Sequence, residues 1–267
     1  MISFEPLLPH LPAWALVLFR LTGIFLFAPM LGSRILPMRV KALLALALSF
    51  CIYPSLLDAG SPSAVLITPL IESGLSFWSM AGAIAMELAV GLAIGYGASL
   101  PMIGMQLGGQ IIDQQMGIQL AGVLNPEFGE ESGIISEFYF LLAVHIFIIL
   151  GGHRVLFETL AGTFSTIPPG GFHPDGELVQ LFLGLINAIF ELALRVAAPL
   201  LCLIFAETVA MGFIARTVPQ MNVLSVGFAI RILIGAFVLI MAVGIHSDVY
   251  TDALIPLINL IQDFFTR

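Results

Sequence analysis

Six long apolar segments, separated by short polar or glycine- and proline-rich breaks, make up most of this chain. An α-helix rises about 1.5 Å per residue, so about 20 apolar residues are enough to cross a hydrocarbon core of about 30 Å. The pattern therefore predicts an all-α membrane protein with long kinked helices and helical hairpins. The apolar segments cover residues 12–31, 42–57, 78–109, 134–150, 178–217 and 223–246.

The last two segments carry further expectations. Segment 178–217 is too long for one unbroken crossing, and Pro199 lacks the backbone N–H that a helix interior needs. We therefore expect a kink or a division at Pro199. Segment 223–246 is expected to be followed by a separate short apolar tail at 254–265.

The composition supports the membrane assignment and excludes one class of partner. Hydrophobic residues make up 59% of the chain, charged residues only 10%, and the mean hydropathy is +1.07. A soluble domain needs more polar surface than this, so the apolar side chains face lipid or partner subunits. The net charge is −8 and the nine basic residues are scattered, which argues against nucleic acid as a partner.

The sequence contains no recognisable catalytic site. The five histidines lack the spacing of metal ligands, and there is no nucleophile motif, phosphate-binding loop or pair of carboxylates. We therefore expect neither an enzyme nor a protein that holds a cofactor or a metal.

The stretch 106–133 differs from the apolar segments around it. It combines glutamines, acids and many glycines with apolar residues such as Ile112 and Met116. Non-helical backbone at membrane depth is tolerated only where protein or a water-filled cavity surrounds it. The composition predicts a re-entrant or pore-facing loop over 106–133, and an ordinary loop remains the alternative.

Six charged residues lie within or beside the apolar segments, where an unpaired charge costs about 2.5–3.5 kcal/mol. They are Arg20, Glu87, Glu191, Arg195, Glu207 and Arg231. Glu191 and Arg195 stand four positions apart with the acid first, the favoured order for a pair on one helix face. We interpret them as a neutralised structural pair. A proton or ion relay is the alternative, with Glu87 as its best candidate.

Four blocks of sequence, in order along nearly the whole chain, resemble the FliR family of flagellar type III export-gate proteins. The first reads RLTGIFLFAPMLGSRILPMRV at 20–40, and the second reads ELAVGLAIG at 87–95. The third reads GQIIDQQMGIQLAGVLNP at 109–126, and the fourth combines GH at 152–153, PPGG at 168–171 and PQMNV at 219–223. Asn125 and Ala229 stand where the family often has an aspartate and a proline.

The resemblance implies a non-enzymatic function in protein secretion, carried by a single FliR-like domain over 1–267. FliR-like proteins assemble with FliP-like and FliQ-like subunits into a helical export gate, which FlhB-like and FlhA-like components engage. Unfolded flagellar proteins pass through this gate at the flagellar basal body in the bacterial inner membrane. The assembled helices of the family rise out of the bilayer, so the apolar segments describe insertion tendency and not final position.

The resemblance also implies roles for particular residues. In the family the third block lies inside the pore and helps to plug it, where methionine adapts to changing contacts and glycines supply hinges. The implied plug residues are Gln110, Ile112, Gln115, Met116, Gly117, Ile118, Leu120 and Gly122. Subunit packing or helix breaks are expected at Glu87, Gly91, Gly95, Pro219, Gln220, Met221 and Asn222.

Three other functions are alternatives to the flagellar export gate. The export-gate homologue of a virulence injectisome is the nearest alternative, and the PQMN motif at 219–222 favours the flagellar branch. A secondary transporter would couple an ion through Glu87, Glu191 and Arg195, but such proteins usually contain two related halves, and no duplication is evident. A membrane enzyme is disfavoured because no catalytic constellation is present.

Overall fold

The computed structural model describes residues 9–29, 31–32, 36–57, 64, 67, 77–118, 133–167, 169–172, 176–218, 220 and 222–266. No strand occurs among these residues. The helices with described bounds are α1 (Leu11–Phe27), α2 (Met38–Leu56), α3 (Phe77–Met116), α4 (Ile134–Ile149), α5 (Gly152–Thr166), α6 (Gly176–Thr217) and α7 (Val223–Thr266).

The predicted all-α membrane fold is confirmed. Four of the described helices, namely α2, α3, α6 and α7, are long and apolar enough to cross a membrane by length and composition. Local sequence explains several helix ends. A proline stands in the first turn of α1, where the missing N–H costs nothing. In α6, Glu177 lies in the first turn and Arg216 in the last, and both charges favour the helix dipole.

Two long helices, α3 and α6, differ from the elements that the sequence predicts. Helix α3 continues to Met116, so residues 106–116 are helical and the predicted loop over 106–133 begins too early. Helix α6 is one element of 42 residues that contains Pro199, so the predicted division at this proline is wrong. A proline removes one hydrogen bond from a helix, and the bonds on either side keep this long helix continuous.

The last helix also differs from the prediction. Helix α7 has 44 residues and joins the segment 223–246 to the expected separate tail. His246, Tyr250 and Leu254 are buried at four-residue intervals, whereas Asp248 and Asp252 are exposed. A single buried helical face therefore runs through the polar stretch that suggested a break.

The chain divides into two compact units, each built from separate parts of the sequence. The first unit comprises Met1–Ser99, Leu150–Gly184 and Leu257–Arg267, and the second comprises Leu100–Ile149 and Leu185–Pro256. Helices α3, α6 and α7 contribute residues to both. The single domain expected over 1–267 stays a prediction.

In the first unit, α1 supplies much of the core. Leu16, Leu21 and Ile24 are fully buried along one of its faces. The Trp14 ring contacts Phe50 of α2 at a centroid distance of 5.0 Å. Such apolar packing between the first two helices stabilises the unit through burial and ring contact.

In the second unit, glycines on α3 let other helices approach closely. A Cβ atom at Gly104 would lie 3.1 Å from the Leu192 side chain of α6, and one at Gly108 would lie 3.0 Å from Val196. At Gly109 a Cβ atom would lie 2.6 Å from Ser136 Cα on α4. The small residues therefore permit the close helix contacts that hold α3 against α4 and α6.

Candidate functional site

An ion pair joins Arg20 on α1 to Glu87 on α3, and neither side chain has any exposed surface. Arg20 donates from Nε to Glu87 Oε2 at 2.5 Å and from Nη2 to Oε1 at 3.0 Å. The planar guanidinium thus meets the planar carboxylate through two bonds, the strongest arrangement for such a pair. The guanidinium carbon also lies 4.2 Å from the centre of the Phe164 ring, which adds a cation–π contact.

The other polar groups of this pair are bonded as well. Arg20 donates from Nη1 to Thr163 Oγ1 at 2.8 Å and from Nη2 to the Ile167 carbonyl oxygen at 3.3 Å. The Gly170 N–H donates to Glu87 Oε1 at 2.6 Å. A buried ion pair is tolerated when its geometry is good and its remaining groups are bonded. This cluster, the Arg20 cluster, therefore ties α1, α3 and α5 together, and its geometry favours a structural role for Glu87 over an ion relay.

The predicted packing glycines lie next to this cluster. A Cβ atom at Gly91 would overlap the Arg20 carbonyl oxygen, and one at Gly95 would lie 3.0 Å from the Ile24 carbonyl oxygen. Both glycines are buried against the chain's own α1. The close helix contact predicted at Gly91 and Gly95 is therefore made within the chain, and a contact of these positions or of Glu87 with another subunit stays a prediction.

Two further ion pairs lie in the second unit. Arg195 Nη2 and Glu191 Oε1 on α6 are 2.5 Å apart with about three-fifths of each side chain exposed, as the four-residue spacing predicted. Arg231 Nε on α7 donates to Glu207 Oε2 on α6 at 2.9 Å. All six charges of the apolar segments are thus paired. The described part of the chain contains no group of three or more His, Cys, Asp or Glu side chains able to hold a metal.

Sequence reasoning found only the local pair. Arg20 and Glu87 are 67 positions apart, and Arg231 and Glu207 are 24 apart on different helices. The signal that was available is that each charge stands in an apolar segment and needs a partner of opposite sign. Nothing in one sequence says which partner each charge takes.

The implied plug residues fall into three groups. Gln110, Ile112, Gln115 and Met116 lie on the last two turns of α3, which corrects their assignment to a loop. Ile112 and Met116 are buried, and Gln115 is exposed. Gly117 and Ile118 follow the helix directly and are half-buried, whereas Leu120 and Gly122 lie outside the described residues.

A defined turn ends α3. Gly117 has a φ of 73°, a left-handed conformation that glycine adopts at no steric cost. Its N–H donates to the Gln114 carbonyl oxygen at 3.1 Å, and the Ile118 N–H donates to the Asp113 carbonyl oxygen at 3.2 Å. This pair of bonds is the Schellman motif, which satisfies carbonyls left free at a helix end. Gly117 is therefore a helix terminator in this conformation.

Asp113 has a role that the sequence did not reveal. Its two carboxylate oxygens accept the Ile135 N–H at 3.2 Å and the Ser136 N–H at 2.9 Å, and the side chain is fully buried. These are free N–H groups in the first turn of α4, where a negative charge is also favourable. An N-terminal cap usually comes from the residue just before the helix, but this one comes from α3, 22 positions away from Ile135. The Asp113 cap holds the end of α3 beside the start of α4.

The PQMN motif lies between two helices. Helix α6 ends at Thr217 and α7 begins at Val223. The side chain of Asn222 accepts the Ser225 N–H through Oδ1 at 3.2 Å, the geometry of an N-terminal cap. Gln220 and Asn222 are exposed, and Pro219 and Met221 lie outside the described residues.

The profile of the family described as bacterial export proteins, family 1, matches residues 11–255. This chain belongs to that family. The matched range contains every site residue described above, from Arg20 to Arg231, and it covers parts of both units of the chain.

Several members of the export family are similar to this chain over most of their length. The flagellar biosynthetic protein FliR of Bacillus subtilis is 27% identical over 88% of this chain and 87% of its own. The FliR protein of Escherichia coli is 26% identical over 94% of this chain and 91% of its own length. The surface presentation of antigens protein SpaR of Shigella flexneri is 25% identical over 84% of this chain and 82% of its own length. The resemblance to the FliR family is confirmed, and the chain is a membrane component of an export apparatus.

Proposed function

We propose that this chain is the FliR-type core subunit of a flagellar type III protein export gate and that it has no enzymatic activity. The observation that carries the proposal is its similarity to FliR proteins from two distant bacteria over 88% and 94% of the chain. The gate would lie in the bacterial inner membrane within the flagellar basal body, where unfolded flagellar proteins pass through it.

The surface of the chain supports a place inside an assembly. Phe205, Phe213 and Leu233 each expose 70–71% of their surface. Helices with such faces need lipid or apolar partner helices around them. We propose FliP-like and FliQ-like subunits as these partners, with FlhB-like and FlhA-like components joining the larger machine.

Co-purification tests the proposal directly. The chain is expressed with the FliP-like and FliQ-like proteins of the same bacterium and extracted in mild detergent. We expect one stable complex that contains all three proteins on native gels and in size-exclusion chromatography. A monodisperse monomer that binds a small solute would instead support a secondary transporter.

Within the gate, we propose that the end of α3 and the chain after it form the plug. The corrected plug combines helical residues Gln110, Ile112, Gln115 and Met116 with the following Gly117, Ile118, Leu120 and Gly122. Apolar side chains would seal the pore against ions, because water and ions avoid a dry apolar constriction. The Asp113 cap supports this assignment, since it gives the segment a fixed base.

Two deletions test the plug. Removing residues 110–122 is expected to make the assembled gate conduct small ions in planar bilayers. Removing only residues 118–122 leaves α3 and the Asp113 cap in place. Conductance through this variant would therefore come from loss of the seal and not from a damaged helix. Gln114→Ala, at an exposed position of the same turn, is the matched control and should conduct no more than the unaltered gate. Unchanged conductance in both deletions would contradict the plug.

The injectisome export gate is the second candidate, since SpaR of Shigella flexneri is 25% identical to this chain. Complementation separates the two. We expect the chain to restore swimming in a strain that lacks its flagellar FliR protein, when supplied with its own gate partners. Restored effector secretion in a strain that lacks SpaR, without restored swimming, would favour the injectisome.

A further inference from the structure

A surface cavity of about 440 Å³ lies between α6 and α7, within the second unit. Its walls include Met211 and Gly212 on one helix and Gly227 and Phe228 on the other. The ion pair of Glu207 and Arg231 lies at its edge. We call this space the Glu207 cavity, and no role described above uses it.

The Glu207 carboxylate has one oxygen in use and one free. Its side chain is 4% exposed, and Oε2 accepts the Arg231 Nε–H at 2.9 Å. No donor from any described residue reaches the buried Oε1. Arg231 Nη2 donates to Thr208 Oγ1 at 3.0 Å, and no described Arg231 nitrogen donates to Oε1. A buried carboxylate oxygen without a donor costs free energy, and a donor that enters the cavity would remove that cost.

The shape of the cavity fits a side chain carried on another helix. A Cβ atom at Gly212 would meet nothing within 4 Å, and one at Gly227 would lie 3.4 Å from Glu207 Oε1. Gly227 is buried against Glu207 and Met211, whereas Gly212 is exposed. Gly212 and the small Ala215 one turn further along therefore leave room on the α6 wall for the backbone of a neighbouring helix. The apolar side chains of Met211 and Phe228 suit the alkyl stem of a long cationic side chain.

We propose that the Glu207 cavity receives a lysine or arginine side chain from a helix of a neighbouring gate subunit. The cation donates to Glu207 Oε1, its stem lies along Met211 and Phe228, and its helix backbone passes over Gly212 and Ala215. The acid excess of the chain, with a net charge of −8, makes a basic partner surface the complementary one. This inference rests on the proposed function, because it requires an assembly of several subunits.

Filling the cavity tests the proposal. Gly212→Leu inserts a side chain where there is open space, so the isolated chain keeps its fold and its Glu207–Arg231 pair. Gly184→Leu and Gly244→Leu are matched controls, because a Cβ atom at either helical glycine also meets nothing within 4 Å. We expect at least a tenfold drop in the Gly212→Leu chain recovered with FliP-like and FliQ-like subunits, and unchanged recovery of the controls. Equal recovery of all three variants, each with an unaltered melting temperature, would overturn the proposal.

A crosslink identifies the occupant. A photo-crosslinking amino acid replaces Ala215 at the cavity wall in the assembled complex, and mass spectrometry maps its product. The expected product is a partner peptide with a lysine or arginine within one helical turn of the crosslink. Replacing that basic residue with methionine should lower recovery of the complex, and Glu207→Gln, which removes the negative charge of the cavity, should lower it as well. A product with lipid alone, or with a peptide lacking basic residues, would contradict the proposal.

The two proposals fail in different ways. If the unaltered chain forms no complex with FliP-like and FliQ-like subunits, the export-gate function itself is wrong. If the unaltered chain and Gly212→Leu both assemble fully, the gate function stands and only the occupant of the Glu207 cavity is disproved.

Discussion

Two ion pairs between helices have opposite surroundings in this protein. The Arg20–Glu87 pair has no exposed surface, and both carboxylate oxygens accept hydrogen bonds from within the chain. The Glu207–Arg231 pair has one bonded and one free carboxylate oxygen, and it borders a cavity. The same two residue types therefore hold helices together in one place and leave a binding position in the other.

The difference shows how to separate structure from recognition among membrane charges. A charge in an apolar segment always needs a partner, so its presence alone does not say what it is for. The hydrogen bonds of the charge indicate its role: a charge whose donors and acceptors are all bonded within the chain is structural, and one with a free group can bind a partner. Both carboxylate oxygens of Glu87 are bonded within the chain, whereas Glu207 keeps one oxygen for a donor from a partner.

The largest effect is expected from breaking the closed pair. Glu87→Ala leaves the Arg20 guanidinium buried without its counter-ion, which should lower the free energy of unfolding by about 3–5 kcal/mol. Thermal unfolding in detergent measures the loss. The double variant Arg20→Met with Glu87→Met removes both charges and should recover most of it. A single variant as stable as the unaltered chain would show that the Arg20 cluster does not hold these helices.

Breaking the open pair should cost less. Arg231→Met leaves Glu207 without its counter-ion, and we expect a loss of about 1–3 kcal/mol, because Thr208 Oγ1 still donates to Glu207 Oε2. The same thermal measurement applies, with Thr208→Val as a control that removes the hydroxyl bonded to Arg231 and Glu207 but keeps their ion pair. A loss as large as that of Glu87→Ala would mean that the two pairs do not differ in kind.

Asp113 extends the comparison to a carboxylate that backbone N–H groups satisfy. Asp113→Ala frees two N–H groups at the start of α4 and should lower stability by about 1–2 kcal/mol, in the range of a lost helix cap. Gln114→Ala, its exposed neighbour, should leave stability unchanged. Bilayer recordings of the assembled gate should also find a higher ion conductance for Asp113→Ala. If Asp113→Ala conducts no more than Gln114→Ala, the Asp113 cap does not contribute to sealing the pore.

The smallest effect is expected at the exposed pair on α6. Glu191→Ala removes a contact whose two side chains are 62–63% exposed. Pairs of this kind contribute about 0.3–0.5 kcal/mol, so the melting temperature should stay nearly constant. A decrease in the free energy of unfolding of more than about 1 kcal/mol would show that this pair is shielded from solvent and not exposed.

Sequence reasoning predicted the helices well because apolar length is a local property. The starts of α4 and α7 and the ends of α2 and α6 fall within two residues of their predicted positions. The boundaries failed where polar residues sit on one face of a continuing helix. Gln110 and Gln114 made the end of α3 resemble a loop, and Asp248 and Asp252 suggested a break in α7. In each case buried residues on the opposite face continue the helical period.

The site was less predictable because its contacts join distant positions. The pair Glu191–Arg195 follows from spacing alone. Glu87 and Arg20 meet only after α1 and α3 pack through Gly91, and Asp113 reaches α4 only because a glycine at 109 lets the two helices touch. A single sequence records the small residues and the charges, but not which helices they bring together.

The Asp113 cap sets a tether length for the segment between Gly117 and Gly133. Because both ends of this segment are held at one place, its farthest point lies no more than half its contour away. An extended chain advances at most about 3.3–3.6 Å per residue, so that limit is roughly 28 Å. A polypeptide that threaded past the cap in extended form could therefore meet this segment over at most about eight residues. That limit follows from covalent length alone, so it does not depend on the sequence of the threading chain.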